Sequence, residues 1–342
     1  MYRPHILIDA DIPFIHGRLE PLADVKYISQ DDFTPELVRD ADALLIRTRT
    51  RCNEALLGNS QVRLIATATI GTDQIDIPWC AAHGITTRNS PGCNAPGVAQ
   101  YVWASLLRMG IDPANTIIGV VGYGNVGSIV ADWGRRLGAT VRVCDPPRAE
   151  AGYTDTTYEP LETLMAECDV VTFHTPLTHS GPHSTFHLAD ATKLNLMRPG
   201  ATLVNAARGP VVDNKALKEV IRTHGLHTVI DTWEGEPTLD TELLGMCDIG
   251  TFHIAGYSRQ GKERATRMVL EACDDFFGWN TDKSGLAGPR PGNENVTAKD
   301  IITSFDPSPV MEALRREPQA FERLRKEYIF RDEPVFPASA NI

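Results

Sequence analysis

The sequence contains no CxxC pair. Its seven cysteines (Cys52, Cys80, Cys93, Cys144, Cys168, Cys247 and Cys273) are an odd number, each more than ten residues from the next. That spacing supports neither a zinc site nor a disulfide framework, and the residues read as reduced thiols of a cytoplasmic protein. Long apolar runs are also missing. The longest, such as Ala43–Ile46 and Ile117–Val121, stop far short of the ~20 residues that span a bilayer, so no membrane segment is expected. The first residues lead straight into the strand-like Ile6-Leu7-Ile8, without the apolar stretch and small-residue cleavage site of a secretory signal. Positive charge is in deficit: 33 Lys and Arg stand against 44 Asp and Glu, for a formal charge of -11. A nucleic-acid partner is therefore not expected, although a local basic cluster can still hold an anionic substrate. Repeats of solenoid type are absent.

What is present is an ordinary globular composition, 42% hydrophobic and 23% charged, over 342 residues, enough for two or three domains. Apolar runs at His5–Ile8, Ala43–Ile46, Leu64–Thr67 and Gly84–Thr86 read as strands, with helices at Pro35–Asp40 and Asp76–His83 between them. This alternation predicts a parallel α/β layer. The spacing of Val98, Val102 and Leu106 predicts one long helix over Ala95–Met109, leading into a second layer. There, strands are expected at Thr116–Val121, Thr140–Cys144, Val170–Phe173, Thr202–Asn205, Val229–Asp231 and Ile249–Phe252. Helices at Ser128–Leu137, Leu161–Glu167 and Asn214–His224 complete the pattern of a doubly wound sheet. A helix over Gln260–Gly278 would return the chain to the first layer. Asn280–Asn295 reads as a linker or surface loop, and Pro309–Tyr328 as one charged helical run.

The chemistry begins at Gly122-Tyr123-Gly124-Asn125-Val126-Gly127, which follows a strand and opens a helix. In that context the first glycine allows a tight turn, the second lets backbone approach a pyrophosphate, and the third lets helix and strand pack closely. Asp145 ends the next strand, 18 residues beyond Gly127, where a carboxylate accepts hydrogen bonds from both ribose hydroxyls and repels a 2′-phosphate. NAD is thus expected in preference to NADP, with Arg148 nearby as a weakening influence. Hydride transfer at C2 of a hydroxy acid further needs a cation for the carboxylate, a proton carrier and a group to hold that carrier. Arg208, Glu236 and His253 each follow a predicted strand of the second layer and so share the edge that should hold the cofactor.

The blocks Asn205–Asp213, Asp231–Pro237 and His253-Ile254-Ala255-Gly256, with Asn89–Asn94 at the crossover, resemble the D-isomer-specific 2-hydroxyacid dehydrogenases over roughly residues 40–275. The resemblance implies two doubly wound parallel-sheet domains, a Rossmann NAD domain and a flavodoxin-like substrate domain, plus a small C-terminal appendage. Residues 1–92 with a return helix over 257–279 would form the substrate domain, 93–256 the NAD domain, and 280–342 a linker and dimerisation segment of a homodimer. Arg208 would bind and polarise the substrate, His253 would be the acid/base, and Glu236 would orient His253. Asp145, Thr175, Asp231 and Gly256 would contact NAD, with Ala206 and Ala207 lining the same site. Further likeness at Thr67–Asp73, Cys144–Arg148, Phe173–Leu177 and Tyr257 implies a small phosphorylated hydroxy acid, contacted by Thr48, Thr69 and Tyr257.

Arg47-Thr48-Arg49-Thr50-Arg51 supplies local positive charge for such a substrate, and Arg47 is the basic residue assigned to it. Its alternation would put the arginines on one side only if the preceding strand continues. Phe252 stands where the family usually has proline, and Gln100 where it commonly has glutamate. His179, His183 and His187 are spaced four apart, but Gly181-Pro182 interrupts any helix between His179 and His183 and no carboxylate or cysteine completes a ligand set, so no metal is expected. A sister dehydrogenase for phosphoglycerate or glyoxylate, or a non-enzymatic NAD sensor, is the alternative reading.

Overall fold

The structure, a computed structural model, describes residues 2–289 and 295–336. Contacts divide the chain into two units, Met1–Asn94 with Ser258–Arg290, and Ala95–Tyr257 with Pro291–Ile342. In the first unit, β1 (His5–Asp9), β2 (Asp24–Ile28), β3 (Ala43–Ile46), β4 (Leu64–Thr67) and β5 (Thr86–Arg88) form one sheet in the order β2-β1-β3-β4-β5. All of its neighbours pair in parallel. The period of two along β1 assigns its faces: Ile6 and Ile8 pack with Val269, Leu270 and Cys273, whereas Leu7 packs with Val38, Leu57 and Cys80. Both faces are covered, as a parallel sheet requires. The helix Arg259–Phe277 supplies one cover, so the return to the first layer is observed.

Both edge strands of this sheet differ from expectation. The edge strand β2 alternates exposed and half-buried residues before the buried Ile28, and Asp24 and Lys26 masked its pattern. Residues 84 and 85 close the preceding helix turn instead, with Ile85 N–H donating to the Cys80 carbonyl, and the strand begins at Thr86.

The second unit orders β6 (Ile117–Val121), β7 (Thr140–Cys144), β8 (Val170–Phe173), β9 (Thr202–Asn205), β10 (His227–Ile230) and β11 (Ile249–Gly250) as β11-β10-β9-β8-β6-β7. Strand order reverses between β6 and β8, whose last residues, Val121 and Phe173, are paired. That is the switch point at which such sheets take ligands. The helix Ala95–Arg108 is not amphipathic in its surroundings, for Ala95 through Leu106 are all buried. Its second face is covered by the chain's own end: Tyr101 meets Phe305, and Ile301, Leu314, Phe321 and Phe336 join the same core.

Residues 295–336 are therefore packed on the second unit. The expected single run over 309–328 is two helices, Ser308–Arg316 and Phe321–Glu327, because Glu317 precedes Pro318 and leaves the helical region at φ -137°. Of the expected 280–295 loop, residues 290–294 lie outside the described ones, as do 337–342 of the expected C-terminal segment.

Candidate active site

The glycine loop leaves β6 at the switch point. Gly122 has φ +90°, and a Cβ there would lie 2.8 Å from the His174 carbonyl oxygen; at Gly127 it would lie 1.8 Å from the Gly122 oxygen. These two glycines close the turn. Gly124 is different: a Cβ there meets nothing within 4 Å. The space above the loop is open, and Gly124 caps the helix Asn125–Arg136 without a side chain to occupy its first N–H groups. Asn125 is exposed and Val126 half-buried beside it. Across the switch point, Thr175 Oγ1 is buried and has no hydrogen-bond partner among the described residues. Burial lowers the neighbouring His174 imidazole to about 3, so that ring is neutral.

Asp145 follows β7 and accepts the Tyr123 N–H at 2.7 Å and the Arg148 N–H at 3.1 Å. Arg148 is held elsewhere, by Asp155 at 2.7 Å and over the Tyr153 ring at 3.9 Å. The cradle, the uncapped helix, the unpartnered threonine and the strand-end carboxylate together fit a dinucleotide, and Arg148 is not presented to a 2′-phosphate.

Arg208, Glu236 and His253 follow β9, β10 and β11, three adjacent strands. Asn205 ends β9 and shapes the loop beyond it: its Nδ2 donates to the Arg208 carbonyl at 3.0 Å and its Oδ1 accepts from Ala207 N–H at 3.2 Å. Ala206 is half-buried and Ala207 buried on this loop. A Cβ at Gly209 would lie 2.0 Å from the Trp233 carbonyl carbon, so only glycine lets the Arg208 loop approach the Trp233–Glu236 segment. Within that segment Glu236 Oε1 accepts the Trp233 N–H at 2.7 Å, and Glu236 Oε2 lies 2.8 Å from His253 Nδ1. Burial alone would push the Glu236 carboxyl up. The charge and hydrogen bond of His253, the Trp233 N–H and the charge of Arg325 outweigh it and hold the group below the usual carboxylate range.

His253 adopts φ +58°. Asp231 enforces that turn: its fully buried carboxylate accepts Thr251 Oγ1 at 2.6 Å, Ile254 N–H at 2.8 Å and Ala255 N–H at 2.8 Å. Asp231 thereby organises the His253 loop. Gly256 is likewise buried in that loop.

In the first unit Thr48 follows β3 and Thr69 follows β4, on strands paired through Ile46 and Thr67. Thr48 is exposed, while Thr69 Oγ1 shares a hydrogen bond of 2.7 Å with Thr67 Oγ1. Because β3 stops at Ile46, the arginines do not alternate along a strand. Arg47 donates to the Asp11 carbonyl at 3.1 Å, and its own carbonyl accepts from Gln74.

Residues 93–255 match the sequence profile of the D-isomer specific 2-hydroxyacid dehydrogenase family, NAD binding domain. A Bacteroides fragilis protein named erythronate-4-phosphate dehydrogenase is 45% identical over 338 residues, 96% of this chain and 97% of that one. Its namesake from Porphyromonas gingivalis is 40% identical, covering 94% and 92%. The chain belongs to the erythronate-4-phosphate dehydrogenase family. It is an NAD-dependent dehydrogenase of the D-isomer-specific 2-hydroxyacid type. Among solved structures, the fold is similar to D-lactate dehydrogenase of Aquifex aeolicus (TM-score 0.65, 24% identity, 80% of this chain and 95% of that one). It is also similar to 3-phosphoglycerate dehydrogenase of Entamoeba histolytica (TM-score 0.68, 23% identity, 81% and 96%).

The two departures from the wider dehydrogenase pattern have structural counterparts. Phe252 is buried edge-on against Tyr328, with centroids 6.1 Å apart. Gln100 is fully buried, donates to Ser304 Oγ and the Asp332 carbonyl at 2.9 Å each, and accepts from Arg331 Nε at 2.9 Å. A glutamate could not make both donations. Arg331 in turn donates to the carbonyls of Gly97, Ile254, Ala255 and Tyr257. Both departures therefore fasten the C-terminal segment behind the His253–Tyr257 loop. Asn205, Trp233 and Arg331 were not singled out as site-building residues, and of these only Asn205, polar at the end of a buried strand, carried a local signal.

The histidines expected to bind no metal are placed differently from one another. His183 meets Glu150 at 2.9 Å, and His187 meets Glu234 at 2.7 Å. The expectation that no carboxylate joins these histidines fails at His187, because folding brings in residues from distant blocks: ligand atoms of His187, Asp213 and Glu234 lie within 4.8 Å of one another. Glu234 also accepts the Asn214 N–H, and the cluster fastens the loop carrying His187 to the Trp233–Glu236 segment. No described helix is long and apolar enough to cross a membrane.

Proposed function

We propose that the chain oxidises 4-phospho-D-erythronate at C2 to 2-oxo-3-hydroxy-4-phosphobutanoate, a step of vitamin B6 synthesis. The observation that carries this reading is the His253–Glu236 pair at 2.8 Å on the same sheet edge as the glycine cradle, beside the Arg208 loop. Bound NAD supplies the acceptor for the hydride that leaves C2. Gly122, Gly124, Asn125, Val126, Gly127, Asp145, Thr175, Asp231 and Gly256 hold the cofactor, with Ala206 and Ala207 lining the same side.

Arg208 binds the substrate carboxylate and keeps the C2 carbon in place. His253 Nε2 takes the C2 hydroxyl proton as the hydride departs, while Nδ1–H remains bonded to Glu236. The carboxylate balances the imidazolium that forms and fixes the tautomer that leaves Nε2 free to act. In the reverse direction the same imidazolium returns the proton to the alkoxide. Arg47, Thr48, Thr69 and Tyr257 contact the remainder of the acid. A homodimer and a cytoplasmic location belong to the same proposal; seven buried, free thiols suit a reducing compartment, and light scattering of the purified protein checks the dimer.

The test is NADH formation by purified protein given 4-phospho-D-erythronate, 3-phosphoglycerate and glycolate side by side. Turnover of the first above the others is expected. Turnover confined to either of the others would assign the chain to a sister activity.

A further inference from the structure

The C-terminal segment packs around Tyr257. The helix Phe321–Glu327 places Arg325 with its guanidinium carbon 5.4 Å from the Tyr257 ring centroid. Tyr328 and Phe330 stand around the same ring, 6.3 and 6.1 Å away between centroids. Tyr257 lies four residues beyond His253, and the loop joining them is the one clamped from behind by Arg331. The position of Arg325 is thus fixed by a buried anchor rather than by a free chain end.

Arg325 is half-buried, and its Nε is buried without a hydrogen-bond partner among the described residues. A guanidinium donor withdrawn from water with nothing to receive it is costly, so a structure that keeps one has a use for it. Its charge is felt at Glu236, yet no hydrogen bond or salt bridge joins the two. The guanidinium therefore keeps donors that the Glu236 carboxylate does not occupy. The substrate proposed for this site carries a phosphoryl group on C4, two carbons beyond the reacting C2. A planar guanidinium is the side chain best matched to phosphate oxygens.

We propose that Arg325, delivered by the C-terminal segment of the same chain, binds the phosphoryl group of the substrate and is the residue that selects phosphorylated over unphosphorylated acids. The proposal rests on the oxidation of 4-phospho-D-erythronate proposed for the same site. It makes the C-terminal segment part of the active site, whatever further part it has in pairing subunits.

The experiment compares Arg325→Gln and Arg325→Lys with the unaltered enzyme on 4-phospho-D-erythronate and on D-erythronate, the latter read by turnover or as a competitive inhibitor. D-erythronate keeps the carboxylate and the C2 hydroxyl. For Arg325→Gln, kcat/KM on the phosphorylated acid is expected to fall on the order of 30- to 100-fold. The D-erythronate constant should move by less than about threefold, with NADH binding and the thermal midpoint unchanged. Arg325→Lys should recover part of the loss. Equal losses on both acids would overturn the proposal, because they would mean that Arg325 acts through Glu236 or the carboxylate. No loss on either acid would also overturn it. Inorganic phosphate gives a reading that depends on no charge-removing variant: it should compete with the hydroxy acid in the unaltered enzyme and more weakly in Arg325→Lys, and phosphate that does not compete overturns the proposal. An unaltered enzyme that leaves 4-phospho-D-erythronate untouched removes the functional reading and this one together, whereas turnover by it alongside an unaffected Arg325→Gln removes this one alone.

Discussion

Glu236 Oε2 lies 2.8 Å from His253 Nδ1, and the other oxygen of the same carboxylate is held by the Trp233 N–H at 2.7 Å. One carboxylate thus ties the turn after β10 to the histidine after β11. The neutralising charge and the orienting hydrogen bond come from the same group.

Replacing that group should separate the two effects. In Glu236→Gln an amide can still accept a hydrogen bond from His253 but carries no charge, and kcat/KM should fall about 10²- to 10³-fold. Stability gives a second check. The Glu236 carboxyl is held below its ordinary value, so its contribution is complete above the unfolded-state value of about 4.3 and is lost as pH falls through the lowered one. The stability difference between the native protein and the variant, followed by denaturant midpoints, should therefore shrink on acidification below about pH 4. A difference that grows on acidification would contradict this assignment.

Two glycines should respond in opposite ways to the same added methyl group. Gly124→Ala meets open space. It should leave the thermal midpoint within a degree or two while weakening NAD binding by roughly tenfold or more, since the methyl occupies the approach to the pyrophosphate. Gly209→Ala drives a Cβ to 2.0 Å from the Trp233 backbone. It should cost about 3 kcal/mol or more of stability and remove activity by parting the Arg208 and Glu236 loops. Calorimetry and NADH fluorescence titration on both variants check the pair.

Gln100→Leu keeps volume but deletes three hydrogen bonds and leaves Arg331 Nε facing an apolar side chain. A loss of about 2–4 kcal/mol is expected. Because Arg331 anchors the segment that carries Arg325, KM for the phosphorylated acid should rise as well. A stability loss with an unchanged KM would mean that the anchor and the site are independent.

Much of this was legible in the residues, for reasons that differ from element to element. Strands β3, β4, β7, β8 and β9 coincide with their expected limits because parallel strands buried on both faces read as unbroken apolar runs. The edge strand β2 did not, since its outward residues are charged. Arg208, Glu236 and His253 could be placed at one edge because each follows its own strand, and parallel strands deliver their ends to the same side. The hold of Asp231 on the His253 turn was not legible, because its donors Thr251, Ile254 and Ala255 lie 20 to 24 residues away and leave no local signal. The tie from Arg331 to Tyr257 spans 74 residues, and nothing local to either residue announces it.

The central claim is that hydride leaves C2 of the phosphorylated acid, and deuterium placed there tests it most directly. With 4-phospho-D-[2-²H]erythronate and NAD, the protein should yield NADH carrying one deuterium at C4 of the nicotinamide, and 2-oxo product carrying none at C2. Unlabelled NADH from that substrate, or no NADH at all, would contradict the account.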